Sequence, residues 1–140
     1  PLKTVILDAS VAVKWFIDDH LTPQALRAAE LHTFRAPWLI LPETTNGLWK
    51  YARRGDLGVG DLEAAIRHVE ANVACLPDAD LMRIAARLAC QFDHPVYDCC
   101  YLALASMVRL PLLTADKRLA GLACDLSLDV LDLASIPIEG

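Results

Sequence analysis

Val5-Ile6-Leu7-Asp8-Ala9-Ser10 constrains the fold more than any other stretch of the chain. An unbroken apolar run ends there in a carboxylate, a small residue and a hydroxyl. Such a run, with no polar alternation, is the pattern of a strand buried on both faces, as in a parallel sheet covered by helices. Open α/β sheets bind their ligands at the carboxyl ends of such strands, which is where Asp8 falls. Read locally, Asp8 or Ser10 also suits the N-cap of a following helix.

The rest of the chain alternates in the same sense. After a strand over Lys3 to Leu7, the pattern predicts a short helix over Val11 to Ile17 and a longer one over Pro23 to Phe34, opened by Thr22. A short strand over Arg35 to Trp38 follows, then a helix over Leu39 to Arg54 that ends in two arginines and Gly55. Asp61 is the expected cap of a helix running to Val73. Cys75 to Pro77 reads as a weak strand, and Asp78 or Asp80 as the opening of a helix to Gln91. Tyr97 or Asp98 opens another to Val108. Leu112 to Thr114 is a strand, Lys117 to Ala123 a helix and Asp129 to Leu133 a last strand. Strands alternating with helices predict an α/β fold with a parallel sheet and helices on both faces. No repeat or long linker divides the 140 residues, so residues 1–140 are expected to form a single domain.

Composition narrows the function classes. The hydrophobic fraction of 55% predicts a packed chain with little disorder. A net charge of −5 argues against a broad basic surface for nucleic acid. It leaves open an enzyme that meets phosphates through bound metal ions. The five cysteines form no C-x-x-C pair and read as reduced core residues of a cytoplasmic protein. The longest apolar candidate for a membrane span, Tyr101 to Leu113, is broken by Arg109 and Pro111. No signal peptide or membrane partner is expected.

Three further acids stand in unusual company. Glu43 is embedded in apolar sequence after Leu39-Ile40-Leu41-Pro42. Asp98 precedes Cys99-Cys100-Tyr101-Leu102-Ala103-Leu104-Ala105, a helix apolar enough to be buried nearly all round, and a buried carboxylate must be paired or bind a metal. Asp116 follows Leu112-Leu113-Thr114-Ala115, repeating the strand-then-acid order of Leu7-Asp8. Each could be a local helix cap or first-turn charge. On one α/β sheet, however, they should converge on one end. Two carboxylates 4 Å apart repel by about 4 kcal/mol at an effective dielectric of 20. Oxygen ligands without histidine or cysteine suit Mg²⁺ or Mn²⁺ as the relieving cation.

Leu7-Asp8-Ala9-Ser10-Val11-Ala12-Val13-Lys14-Trp15-Phe16, Pro42-Glu43-x-x-Asn46, Pro95-Val96-Tyr97-Asp98 with Tyr101-Leu102-Ala103-Leu104-Ala105, and Thr114-Ala115-Asp116-x-Arg118-Leu119 resemble the motifs of PIN-domain ribonucleases. Within that family the chain is most similar to VapC toxins of toxin–antitoxin pairs. The similarity runs from Val5 to about Asp132 with the motifs in order. It implies a five-stranded parallel sheet in a three-layer α/β/α sandwich, often a homodimer, and cleavage of RNA by metal-activated water. The family's catalytic and metal-binding acids fall on Asp8, Glu43, Asp98 and Asp116, and its accompanying polar positions on Ser10, Asn46 and Thr114. The implied partners are an RNA substrate and a VapB-type antitoxin. Lys14, Lys50, Arg53, Arg54, Lys117 and Arg118 are either RNA-facing cations or solvated helix ends. A metal-dependent phosphatase or phosphoacceptor domain, and a catalytically silent module, remain as alternatives. Phosphatases with an acid after the first strand need a second acid or its equivalent two residues on, where this chain carries Ser10.

Overall fold

The computed structural model describes residues 2–139. Five strands, β1 (Lys3–Leu7), β2 (His32–Pro37), β3 (Val73–Leu76), β4 (Leu112–Thr114) and β5 (Val130–Asp132), form one sheet in the order β3-β2-β1-β4-β5. Every pairing is parallel. Between them lie α1 (Ala9–Ala12), which tightens into a 3₁₀ turn at Val13–Trp15, then α2 (Thr22–Leu31), α3 (Ile40–Arg53), α4 (Val59–Asn72), α5 (Met82–Phe92), α6 (Val96–Val108) and α7 (Lys117–Asp125). The chain moves outward from β1 through β2 to β3, crosses back to β4, and moves outward again to β5. Right-handed crossovers therefore put α1 to α4 on one face and α5 to α7 on the other. The packing of α3 on α1 and α4, and of α6 on α5, fits this three-layer arrangement.

Burial explains why these residues form these elements. Val5, Ile6, Leu7, Leu112 and Leu113 are covered on both sides of the sheet, and α6 is buried without interruption from Cys99 to Ala105. Gly47 sits inside α3 because a Cβ there would stand 3.0 Å from the side chain of Val13. Its absence lets α3 pack closely on the turn after α1.

Several expected boundaries move. The strand expected at Arg35 begins at His32, because His32 pairs in register with Lys3 of β1. The helix before it stops at Leu31, and Thr22 lies within it; the Thr22 hydroxyl accepts from the Asp19 N–H and donates to the Ile17 carbonyl. The helix expected to be capped by Asp61 is capped at Gly58, and Asp61 accepts the Gly58 N–H from three residues inside. Pro95, not Tyr97 or Asp98, is the N-cap of α6. Asp78 does not cap the helix after it. Its carboxylate accepts from the Leu39 N–H at 3.1 Å and so closes the start of α3, a helix earlier in the chain. All five cysteines are free, but only Cys99 and Cys100 are fully buried; Cys90 and Cys124 are exposed at the ends of α5 and α7, against the expectation of core cysteines. Among the described residues no helix is long and apolar enough to cross a membrane.

Candidate active site

The connections from β1 and β4 leave in opposite directions, so the crevice between their carboxyl ends is the topological switch point, where open α/β sheets bind ligands. Asp8 is the first residue after β1, and Asp116 lies two residues after β4. Glu43 and Asp98 occupy the first turns of α3 and α6, from opposite faces of the sheet.

Asp8 is the most enclosed of the four, at 6% exposure. The Ser10 hydroxyl donates to its Oδ2 at 2.5 Å and the Thr114 hydroxyl to the same oxygen at 2.8 Å. Both hydroxyls also accept backbone N–H groups, Ser10 from Ala115 and Thr114 from Asp116. This lattice ties the turn after β1 to the turn after β4. Burial raises the Asp8 pKa above the carboxylate range, the two hydroxyls partly offset this, and the charges of Asp98 and Asp116 raise it further.

Glu43 is half-buried. The phenol of Tyr101, 0% exposed within α6, donates to Glu43 Oε1 at 2.6 Å across the end of the sheet. Burial raises the Glu43 pKa, the phenol counters it, and the charges of Asp8, Asp98 and Asp78 add to the rise. Burial and the neighbouring Glu43 and Asp8 charges push the Tyr101 phenol far above its ordinary range, so it remains a donor. Asp98 Oδ2 lies 2.7 Å from Nε2 of His94. Asp116 caps α7, accepting from the Arg118 and Leu119 N–H groups.

The structure thus couples Asp8 to Asp98 and Asp116, and Glu43 to Asp8 and Asp98, and it brings Ser10 and Thr114 to Asp8. Asn46 makes no side-chain hydrogen bond to the acids among the described residues. Asn46 is exposed and lines a groove between α3 and α4 with Trp38 and Trp49. Of the candidate RNA-facing cations, Arg53 and Arg54 stack on Trp49 and Tyr51, 4.8 and 4.6 Å from the ring centres, while Lys117 and Arg118 are exposed beside Asp116. The pattern of residues did not reveal Tyr101 or His94 as partners of the acids. His94 had one local signal, its spacing of four residues before Asp98; Tyr101 had none, being 58 residues from Glu43.

A divalent cation suits the chemistry of this donor set. Burial and, to a lesser degree, the charges of Asp98 and Asp116 raise the Asp8 pKa, a cost that a bound cation would relieve, and no Lys or Arg among the described residues pairs with Asp8, Glu43, Asp98 or Asp116. No group of three or more His, Cys, Asp or Glu side chains among the described residues forms a ready cage; each acid is turned to a protein donor instead.

Fold and site together define a parallel α/β domain with acids gathered around its switch point. The PIN domain family model matches residues 5–123. Ribonuclease VapC3 of Pyrobaculum aerophilum is 32% identical over 123 residues, covering 83% of this chain and 92% of that protein. Ribonuclease VapC9 of Mycobacterium tuberculosis is 30% identical over 117 residues, covering 83% and 88%. Among solved structures, PAE2754 from P. aerophilum superposes with a TM-score of 0.70 at 22% identity, over 96% of this chain and 92% of that one. A toxin–antitoxin complex from Klebsiella pneumoniae does so with 0.67 at 18% identity, over 92% and 97%. The chain belongs to the PIN-domain family and, within it, stands with the VapC ribonucleases.

Proposed function

We propose that this chain is a Mg²⁺- or Mn²⁺-dependent endoribonuclease, the cytoplasmic toxin of a toxin–antitoxin pair. The observation that carries the reading is the placement of Asp8 and Asp116 just past β1 and β4 and of Glu43 and Asp98 in the first turns of α3 and α6, with no lysine or arginine among the described residues paired to any of them. Two of the relatives above are named ribonucleases.

In this reading Asp8, Asp98 and Asp116 would hold the cation, and Glu43 would join them or hold a water beside it. A bound divalent cation supplies Lewis-acid polarisation of the phosphodiester and lowers the pKa of water. Ser10 and Thr114 both donate to Oδ2 and so fix the Asp8 carboxylate. Burial raises the Glu43 pKa, the direction a carboxyl needs if it is to exchange a proton during the reaction. Lys117 and Arg118, exposed beside Asp116, meet the phosphates of the RNA. Ser10 supports hydrolysis of RNA over a phosphatase mechanism, because it donates to Asp8 where that mechanism needs a second acid.

The partner in this reading is a VapB-type antitoxin whose tail brings an Arg or Lys to the acids in place of the cation. Solved neighbours of the same fold include toxin–antitoxin complexes. A homodimer is the second assembly, formed through the exposed Trp38 and Trp49 of the α3/α4 groove.

The test is incubation with RNA and Mn²⁺. Cleavage is expected with wild type, and none in excess EDTA or with Asp8→Asn. Full cleavage in EDTA overturns the metal-dependent reading. Expression alone should arrest growth while Asp8→Ala does not; identical growth of the two overturns the toxin reading.

A further inference from the structure

His94 is buried beside the acids and the cleavage reading gives it no task. Its side chain is 4% exposed, Nε2 lies 2.7 Å from Asp98 Oδ2, and Nδ1 is buried with no hydrogen-bond partner among the described residues. A carboxylate only accepts, so in the neutral ring the hydrogen sits on Nε2 and points at Asp98. The tautomer follows from the partner, as it does for histidines that orient a metal ligand.

The backbone makes this ring a fixed post. Asp93 ends α5 in the left-handed region at φ 51°, and the Asp93 and His94 N–H groups both return to the Ala89 carbonyl. Pro95 then sets the entry to α6, with the Cys99 N–H on its carbonyl. The link between the two helices is therefore short and held at both ends, and it lays the imidazole against the first turn of α6. Asp98 is the acid that depends most on such a post. Asp8 has two hydroxyl donors, Glu43 has the Tyr101 phenol and Asp116 has two backbone N–H groups, whereas the one side-chain partner Asp98 shows among the described residues is His94.

Packing alone does not account for a histidine here. An apolar side chain would fill the same space without burying an unpartnered Nδ1, and a buried polar atom left without a partner is a cost to the fold. The compensating gain lies in what Nε2 does for Asp98.

We propose that His94 is a positioning residue: its Nε2–H pins Asp98 Oδ2 and thereby presents Oδ1 to the divalent cation. This rests on the reading that Asp98 holds a cation. It assigns a role to a side chain outside the acidic cluster, acting through Asp98 and not on RNA.

The test compares His94→Gln, whose amide N–H can reach the Nε2 position, with His94→Met, of similar length but without a donor. Mn²⁺ binding is measured on the full chain by the electron paramagnetic resonance signal of free Mn²⁺, and folding by melting in EDTA. Ligand-orienting partners typically account for 10–100-fold in metal affinity. His94→Met is therefore expected to weaken Mn²⁺ binding by about 10–100-fold while melting in EDTA at or above the wild-type temperature. His94→Gln should recover most of the affinity. If His94→Met does not melt cooperatively, His94→Phe takes its place in the comparison. Wild-type affinity in the folded donorless variant overturns the proposal, and so does loss of cooperative folding in both Met and Phe variants, which would assign His94 to the fold. A wild-type protein that binds no Mn²⁺ fails earlier, and removes the metal-dependent reading together with this one.

Discussion

Replacing Asp8 by Asn should make the metal-free protein more stable at neutral pH. Asn is nearly isosteric, and its carbonyl can accept both hydroxyl bonds that now reach Oδ2 from Ser10 and Thr114. What the change removes is a charge at 6% exposure with Asp98 and Asp116 nearby. Two donors to a charged acceptor return about 1.5–3 kcal/mol each, against an effective penalty of several kcal/mol for an unpaired buried ion. The raised pKa of Asp8 says that burial and repulsion exceed the donors. The sign follows from that excess, and its size is taken as about 1–3 kcal/mol, the cost of one poorly compensated buried polar group. For a chain of this size that is a rise in Tm of about 3–10 °C.

The sign with pH is determined by the same shift. The folded protein holds the Asp8 proton more tightly than the unfolded chain does. This contribution to stability is fully present below the ordinary value of 3.8 and is lost as pH rises through the higher folded pKa. The gap between Asp8→Asn and wild type should therefore be widest near pH 7.5 and close toward pH 4 as Asp8 itself becomes neutral. Calorimetric melts of both proteins at the two pH values, in EDTA, measure the difference directly; other acids titrate in both and cancel. A variant that melts below wild type at neutral pH, or a gap that does not change with pH, would refute the reasoning. With Mn²⁺ at a hundred times its Kd, wild type should gain about 2.7 kcal/mol, most of which Asp8→Asn should lose.

Tyr101→Phe removes one oxygen and leaves Glu43 Oε1 without its donor, so the protein should lose about 1–2 kcal/mol in denaturant melts. Because the phenol holds the Glu43 pKa down, the acid limb of the pH–activity profile should move to higher pH; an unmoved limb would remove Glu43 from proton exchange. Lys117→Gln with Arg118→Gln should raise KM for RNA several-fold at constant kcat and flatten the salt dependence, as expected for lost phosphate contacts; an unchanged salt slope would put the RNA elsewhere. Trp38→Ser with Trp49→Ser should halve the mass seen by light scattering at tens of micromolar, while a monomeric wild type would discard the dimer. Gly47→Ala should lower Tm by several degrees through its 3.0 Å contact with Val13, and no loss would mean that Val13 yields freely.

What the sequence by itself determined are features carried by residues a few positions apart. Uninterrupted apolar runs marked β1 and β4 as strands covered on both faces, and the acid after each falls at the carboxyl end of the sheet. Asp116 is a cap because its carboxylate meets the N–H groups of Arg118 and Leu119, a contact already implicit in the local spacing. The apolar run after Asp98 became the most buried helix for the same local reason: it has no polar face to show to water.

Tertiary structure alone decided which donor each acid faces. Thr114 reaches Asp8 across 106 positions and Tyr101 reaches Glu43 across 58, because the parallel pairing of β1 with β4 and the layering of α3 and α6 over opposite faces bring those turns together. Asp78 reads locally as a cap for the helix after it, yet it closes α3, because strand pairing sets β3 beside β2 and delivers the following turn to the N-terminus of that helix. Asn46 shares a motif with Glu43, yet it is exposed and lines the groove between α3 and α4, which only the packing of those two helices creates. The edges of β2 moved for a related reason: backbone N–H and carbonyl groups beside β1 are satisfied by its ladder, so the strand runs for as long as its neighbour supplies partners.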